Sequence, residues 1–183
     1  MYNPNPIYNR EYYAKYFPES YQNIKENDEL SIVTLIKDEQ LLLLSKNGYI
    51  IRFNSDEITP TGRLTAGVKG INLSDDDELI AALPIRNVTD NIAVFSSKGY
   101  GKQVSLNDIP IQKRAGKGVV IYKPNNINGY TTAAQLVNND DNILIVGNKT
   151  SICISASEVP ETSRIAMGNI MLKGNSILTV SKV

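Results

Sequence analysis

Apolar residues in this chain fall into short blocks. Leu41–Leu44, Ile92–Phe95 and Ile143–Val146 are continuous apolar runs of strand length. Each is followed by a turn containing Asn-Gly, Lys-Gly or Asn-Lys, and then by an alternating run: Tyr49–Phe53, Tyr100–Val104 and Ser151–Ile154. This order predicts a β-hairpin, with the turn residues supplying the positive φ that a tight loop needs. Each hairpin exits through an acidic residue, an Ile or Val, and a nearby proline: Glu57-Ile58 before Pro60, Asp108-Ile109-Pro110 and Glu158-Val159-Pro160. Proline cannot donate to a ladder, so the chain is expected to leave the sheet there. An Arg-bearing loop follows, then a glycine and an apolar strand (68–73, 119–123, 169–173), then a closing strand (78–85, 131–137, 176–180). A further closing strand is expected ahead of the first hairpin, at 29–36. No segment shows helical periodicity.

The blocks are copies of one unit. With a shift of 51, Gly48 falls on Gly99, Tyr49 on Tyr100, Ile58 on Ile109, Arg63 on Arg114 and Gly67 on Gly118. With a shift of 50, Ile109, Pro110, Arg114 and Gly118 fall on Val159, Pro160, Arg164 and Gly168. About four strands per ~50 residues is the pattern of propeller-like blades. The expected fold is therefore all-β, with about three four-stranded blades at 29–85, 86–137 and 138–183. Three blades alone would form an open arc, completed by the N-terminal segment or a second chain, and its open edges would allow self-association. Residues 1–28 match no blade; they hold six of the ten tyrosines and read as a cap or a linker.

The repeat core Gly62-Arg63 through Gly67-Val68 to Leu73, with the Asn-Gly-Tyr hairpin and the proline exit, resembles the C-terminal domain of bacterial DNA gyrase A and its counterpart in topoisomerase IV. The resemblance covers roughly residues 29–181 and implies a β-pinwheel, in which each blade lends a strand to its neighbour and the rim binds and bends duplex DNA. It also implies a non-catalytic module. The chemistry and the catalytic tyrosine would lie elsewhere in an ATP-dependent type II topoisomerase. The remainder of the breakage-reunion polypeptide and the ATPase subunit of that enzyme would be the protein partners. The family's gyrase box runs Gln, basic, Arg, Gly, Gly, basic, Gly. Here Gln112-Lys113-Arg114-Ala115-Gly116-Lys117-Gly118 departs from it at Ala115 and lies in the middle copy instead of the first. Two readings stand: a genuine box in a shortened domain, or a common blade loop that has come to look like one.

Composition narrows the chemistry. There is no His and one Cys, which excludes Ser-His-Asp and Cys-His catalysis, His/Cys zinc sites and an intrachain disulfide. No cofactor is expected. The acidic runs Asp75–Glu78 and Asp140-Asp141 read as solvated turns, since the fixed glycine and distal glutamate of a calcium loop are missing. Cys153, in an alternating strand, is expected to face a core. No run approaches the ~18 apolar residues of a membrane span, and no secretory signal opens the chain, so a cytoplasmic, nucleoid-associated location is expected.

Net charge is zero, yet residues 98–123 carry six basic groups against one acidic. Lys98, Lys102, Lys113, Arg114, Lys117 and Lys123 make that patch, with Tyr100 and Tyr122 beside it and Gln112 in the same loop. Closely spaced phosphates attract such groups and release counterions on binding, without sequence readout. Arg63, Arg114 and Arg164 recur once per blade, either as phosphate contacts along a curved rim or as braces that bond loop carbonyls. Lys69, Lys149 and Lys173 are further rim candidates. The competing function is a propeller-type protein-interaction module whose basic blade faces an acidic partner.

Overall fold

Residues 30–37, 39–61 and 67–183 are described by the computed structural model. By its contacts the chain divides into two units, Met1–Val33 with Ile58–Val68, and Thr34–Glu57 with Lys69–Val183. The first is described at 30–33, 58–61 and 67–68, where no strand occurs. The N-terminal cap or linker and Arg63 lie outside the described residues.

In the second unit each apolar run pairs antiparallel with the alternating run after it: β1 (Gln40–Ser45) with β2 (Tyr49–Asn54), β4 (Asn91–Ser96) with β5 (Tyr100–Ser105), and β8 (Asn142–Gly147) with β9 (Ser151–Ser155). The closing strands β3 (Leu79–Ile85), β7 (Thr131–Val137) and β11 (Ile177–Lys182) pair back onto β1, β4 and β8. The strand expected at 29–36 is absent from its described residues 30–36. Its described residues are exposed or half-buried, so they lack the buried positions that hold the other closing strands.

The short strands after the rim loops do not join their own repeat. β6 (Val119–Val120) pairs with β2 of the first blade, and β10 (Asn169–Ile170) pairs with β5 of the second. The sheets run β3-β1-β2-β6, β7-β4-β5-β10 and β11-β8-β9. This is the strand lending of a β-pinwheel: in the first two blades the fourth strand comes from the following repeat. The lent strands are two residues long, shorter than the five expected: the next two N–H groups of each both turn onto a single carbonyl, that of Gly48 or Gly99.

Two glycines make the lending possible. Gly48 and Gly99 sit at the hairpin turns with φ of 80° and 82°. A Cβ at Gly48 would lie 2.2 Å from the Tyr122 carbonyl oxygen, and one at Gly99 would lie 2.1 Å from that of Leu172. The Gly48 carbonyl accepts from the N–H groups of Ile121 and Tyr122 at 2.9 and 3.2 Å, and that of Gly99 from Met171 and Leu172 at 2.7 and 3.1 Å. The third hairpin is one residue shorter at its turn and lacks this glycine, and none of Asn148, Lys149 and Thr150 has positive φ.

A side-chain clasp reinforces each junction. Arg52, nearly buried on β2, donates through Nη1 to the carbonyls of Leu106 and Ile109, 2.7 and 3.3 Å away in the second blade. Gln103, its counterpart on β5, donates through Nε2 to Ala156 and Val159 in the third. Those carbonyls belong to short 3-10 turns, Leu106–Asp108 and Ala156–Glu158, that precede the proline exits. Ser155 and Glu158 form a capping box on the latter, a Ser-x-x-Glu signal visible in the sequence. The third copy has Cys153 at the clasp position, paired with Leu144 as Gln103 is with Ala93.

Between the first and second sheets Leu42, Leu44, Ile50, Ile92, Val94, Val104, Ile121 and Tyr122 form one core. A second core packs Phe95, Ile143, Ile145, Val159, Leu172 and Ile177 between the second and third. A central strand covered on both faces reads as a continuous apolar run, which explains the Leu41–Leu44 block. Cys153 is exposed, contrary to the expected core position. Its register counterparts Arg52 and Gln103 are buried against the 3-10 turn of the next repeat, and no such turn covers β9 among the described residues.

Candidate nucleic-acid interface

The rim loop of the second blade, Gln112–Gly118, lies over the first. The Gln112 N–H donates to the Arg52 carbonyl at 2.7 Å, and the Ala115 N–H to the Gly70 carbonyl at 2.6 Å. Arg114 is half-buried and braces the loop: Nε donates to the Glu57 carbonyl at 2.9 Å and Nη1 to that of Lys69 at 3.0 Å, while its N–H meets the Glu57 carboxylate at 3.1 Å. A guanidinium has five donors, so the brace leaves most of the fork free. Bracing and phosphate contact are therefore compatible in one residue. Arg164 repeats the arrangement with one bond, Nη1 to the Asp108 carbonyl at 3.4 Å.

Ala115 has φ 65°, and among the described residues it is the sole non-glycine residue in this left-handed region. That is the position where the gyrase box has glycine, which adopts this conformation freely. Its counterpart in the third blade, Ile165, is not left-handed, so the two rim loops differ in backbone as well as charge.

Lys113, Lys117 and Lys123 are exposed. The Lys117 ammonium lies 4.5 Å from the centre of the Tyr49 ring. Around that ring a depression opens between the first hairpin turn and residues 124–126, with Asn47, Asn125, Asn126 and Tyr130 on its walls. Lys98 reaches it by donating to the Asn126 carbonyl, and the Lys46 ammonium lies 5.7 Å from the Tyr130 ring. The basic groups are not alone there. Ser74 and Asp76 line the same depression, Lys46 pairs with Glu78, and that bond raises the Lys46 pKa. Lys69, also exposed, donates to the Asn72 amide oxygen at 3.3 Å. Lys46 and Tyr130 escaped the sequence reading because they lie outside the segment of charge excess and meet it only through the hairpin stacking.

Two expected members of the patch are corrected. Lys102 has no exposed surface, and its ammonium bonds three loop carbonyls, so it is not a surface phosphate contact. Burial pulls its pKa down to about 8. Alternation along Tyr100–Val104 suggested an outward lysine, but β5 is covered on that face by the third repeat. Tyr122 is likewise wholly buried, with its hydroxyl donating to the Asn128 carbonyl at 3.1 Å and burial raising its pKa. Tyr100 is half-buried and Gln112 half-exposed.

The acidic turns serve local structure. Asp77 accepts from the Asn47 N–H at 2.9 Å, and Asp141 pairs with Lys182 at 2.7 Å. Among the described residues no group of three or more His, Cys, Asp or Glu side chains could hold a metal, and no helix is long and apolar enough to cross a membrane.

The family described as DNA gyrase C-terminal domain, beta-propeller, matches residues 39–86, 90–137 and 154–180, more than half of the chain. The chain belongs to this family. Two gyrase-family relatives are the DNA gyrase A proteins of Lawsonia intracellularis, 34% identical over 155 residues, and of Mycobacterium tuberculosis, 30% identical over 167. These alignments cover 82% and 87% of this chain but 19% and 20% of the relatives, so the chain spans about a fifth of their length. Among solved structures, the C-terminal domain of DNA topoisomerase IV superposes with a TM-score of 0.82 at 26% identity, covering 88% of this chain and 52% of that one. The DNA gyrase A C-terminal domain superposes with a TM-score of 0.76 at 29% identity, covering 92% of this chain and 60% of that one. The three matched segments of the gyrase family model follow the three blades, and the gap at 138–153 falls on the third hairpin, whose turn is one residue shorter and lacks the glycine.

Proposed function

We propose that this chain is a non-catalytic module that binds and bends duplex DNA within a bacterial type II DNA topoisomerase, in the cytoplasm and at the nucleoid. Its protein partners are the remainder of the breakage-reunion polypeptide and the enzyme's ATPase subunit. The observation that carries the reading is the rim loop Gln112–Gly118. It exposes Lys113 and Lys117, keeps part of the Arg114 fork unbonded and holds Ala115 in the glycine-like conformation. A duplex crossing this rim meets Lys113, Arg114 and Lys117 first, then Lys98 and Lys123 beside the depression, with Lys69 and Arg164 on the neighbouring loops; Arg63 is the corresponding candidate of the first repeat. Such contacts neutralise phosphates and carry no sequence information. The left-handed Ala115, absent from the third-blade loop, supports a working gyrase box over a common blade loop.

Titration of a ~40-base-pair duplex at several salt concentrations tests this. The expected result is sequence-independent binding with a log–log salt slope of several units, reduced by about 0.9 for each of Lys113→Ala and Lys117→Ala. Absence of binding at low salt overturns the reading and favours a protein-interaction module with an acidic partner. Ligation of short duplexes into circles in the presence of the protein then reads bending.

A further inference from the structure

Lys102 occupies a place no phosphate contact could use. It lies on β5 at the position held by Ile51 in the first repeat and Ile152 in the third. Its Nζ donates to the carbonyls of Ser163 at 3.3 Å, Arg164 at 2.7 Å and Ala166 at 2.7 Å. An ammonium has three donors, and all three are taken by one loop within four residues. That loop is the rim loop of the third blade. It carries Arg164, and its return closes tightly over the lysine stem: a Cβ at Gly168, φ 82°, would lie 2.9 Å from the Lys102 Cβ.

Three carbonyl dipoles pointed at one place repel one another unless a cation sits among them. A buried charge in turn survives only where its donors are satisfied. Each feature therefore requires the other. The second-blade loop is held differently. Ile51 lies beneath it, and it is held by its own Arg114 guanidinium reaching out to the Glu57 and Lys69 carbonyls and by the N–H of Asn72 donating to the Gly116 carbonyl.

We propose that Lys102 is a positioning residue for DNA contact by the third blade: its ammonium gathers the carbonyls of 163–166 and so holds Arg164 with guanidinium donors free for a phosphate. This rests on the DNA-binding reading above. Charge at neutral pH agrees with a value of about 8. The charged residues of the enclosing loop, Glu161 and Arg164, are engaged elsewhere, with the Asn91 amide and the Asp108 carbonyl.

The test has three arms on the intact chain. Lysine side-chain 15N NMR of the wild type is expected to show an ammonium whose protons exchange slowly; if every ammonium exchanges at the solvent-exposed rate, the proposal is overturned without any variant. Hydrogen exchange of Lys102→Met is expected to show amides 163–167 losing at least tenfold protection while the first blade keeps its own; unchanged protection overturns it. Duplex titration then separates positioning from general stability. Arg164→Ala and Lys102→Met each weaken binding by roughly fivefold, and the double variant by no more than Arg164→Ala alone. Additive losses show that Lys102 does not act through Arg164. Failure of the wild type to bind any duplex refutes the DNA reading, and with it the positioning role, while the first two arms still report whether the cage exists.

Discussion

Gly48→Ala isolates what close approach between repeats contributes. The new Cβ would lie 2.2 Å from the Tyr122 carbonyl oxygen and 2.8 Å from the Tyr122 Cβ, inside any tolerable contact. The lent segment must therefore shift, which breaks the bonds of the Ile121 and Tyr122 N–H groups to the Gly48 carbonyl. Each bond is worth about 0.5–1.5 kcal/mol, and holding an L-residue at positive φ costs about 1–2 kcal/mol. Reduced freedom of the unfolded chain returns about 0.4–1 kcal/mol, for a net loss of about 2–4 kcal/mol. Gly174→Ala is the control: its φ is 66° and nothing lies within 4 Å of the added Cβ, so it loses only the conformational part, about 1 kcal/mol. Urea unfolding followed by far-UV circular dichroism measures both, with unchanged slopes and shifted midpoints. Equal midpoints for the two variants would refute the argument that the turn glycine is required by the neighbour's backbone.

Arg52→Met leaves the Leu106 and Ile109 carbonyls without their clasp and is expected to cost about 2–3 kcal/mol in the same unfolding assay; a loss below about 0.5 kcal/mol would show that the clasp is not a stabilising contact. Ala115→Gly relieves a left-handed alanine and is expected to raise stability by about 0.5–1 kcal/mol with duplex affinity retained, whereas destabilisation would count against the strain. For Asp141, burial raises the pKa, but Lys182 and the Asn138 N–H outweigh it and leave the carboxyl below its ordinary value. A folded value below the unfolded one gives stability that is present above the unfolded pKa of about 3.9 and lost as pH falls through the folded value, up to about 1 kcal/mol at an exposed pair. Lys182→Met should flatten that part of the acid unfolding profile, and an unchanged profile would show that the pair contributes no stability.

The hairpins, the closing strands at 131–137 and 78–85, and the repeat itself are legible along the chain because their signals are local: an apolar run, a turn glycine, an alternating run and a proline exit. The rim lysines Lys113 and Lys117 are legible for the same reason, since a glycine-rich loop keeps charged residues at the surface. Other features depend on which repeat covers which. Alternation places Lys102 and Cys153 at adjacent positions of the repeat on a half-buried strand, and sequence treats both as it would any strand. The third repeat closes over Lys102 and turns a surface cation into an internal one, while Cys153 lies on an edge that no described repeat covers. Tyr122 likewise reads as an aromatic beside a basic patch until strand lending carries it into the core between the first two sheets.

The hairpins, their strand order along the chain and the charge excess of the second blade are thus properties of the sequence alone, because each is set within a stretch no longer than one blade, and the period is that stretch repeated. Burial, clasp and ammonium cage belong to the tertiary structure, because each joins residues about fifty positions apart whose meeting depends on a strand being given to the neighbour.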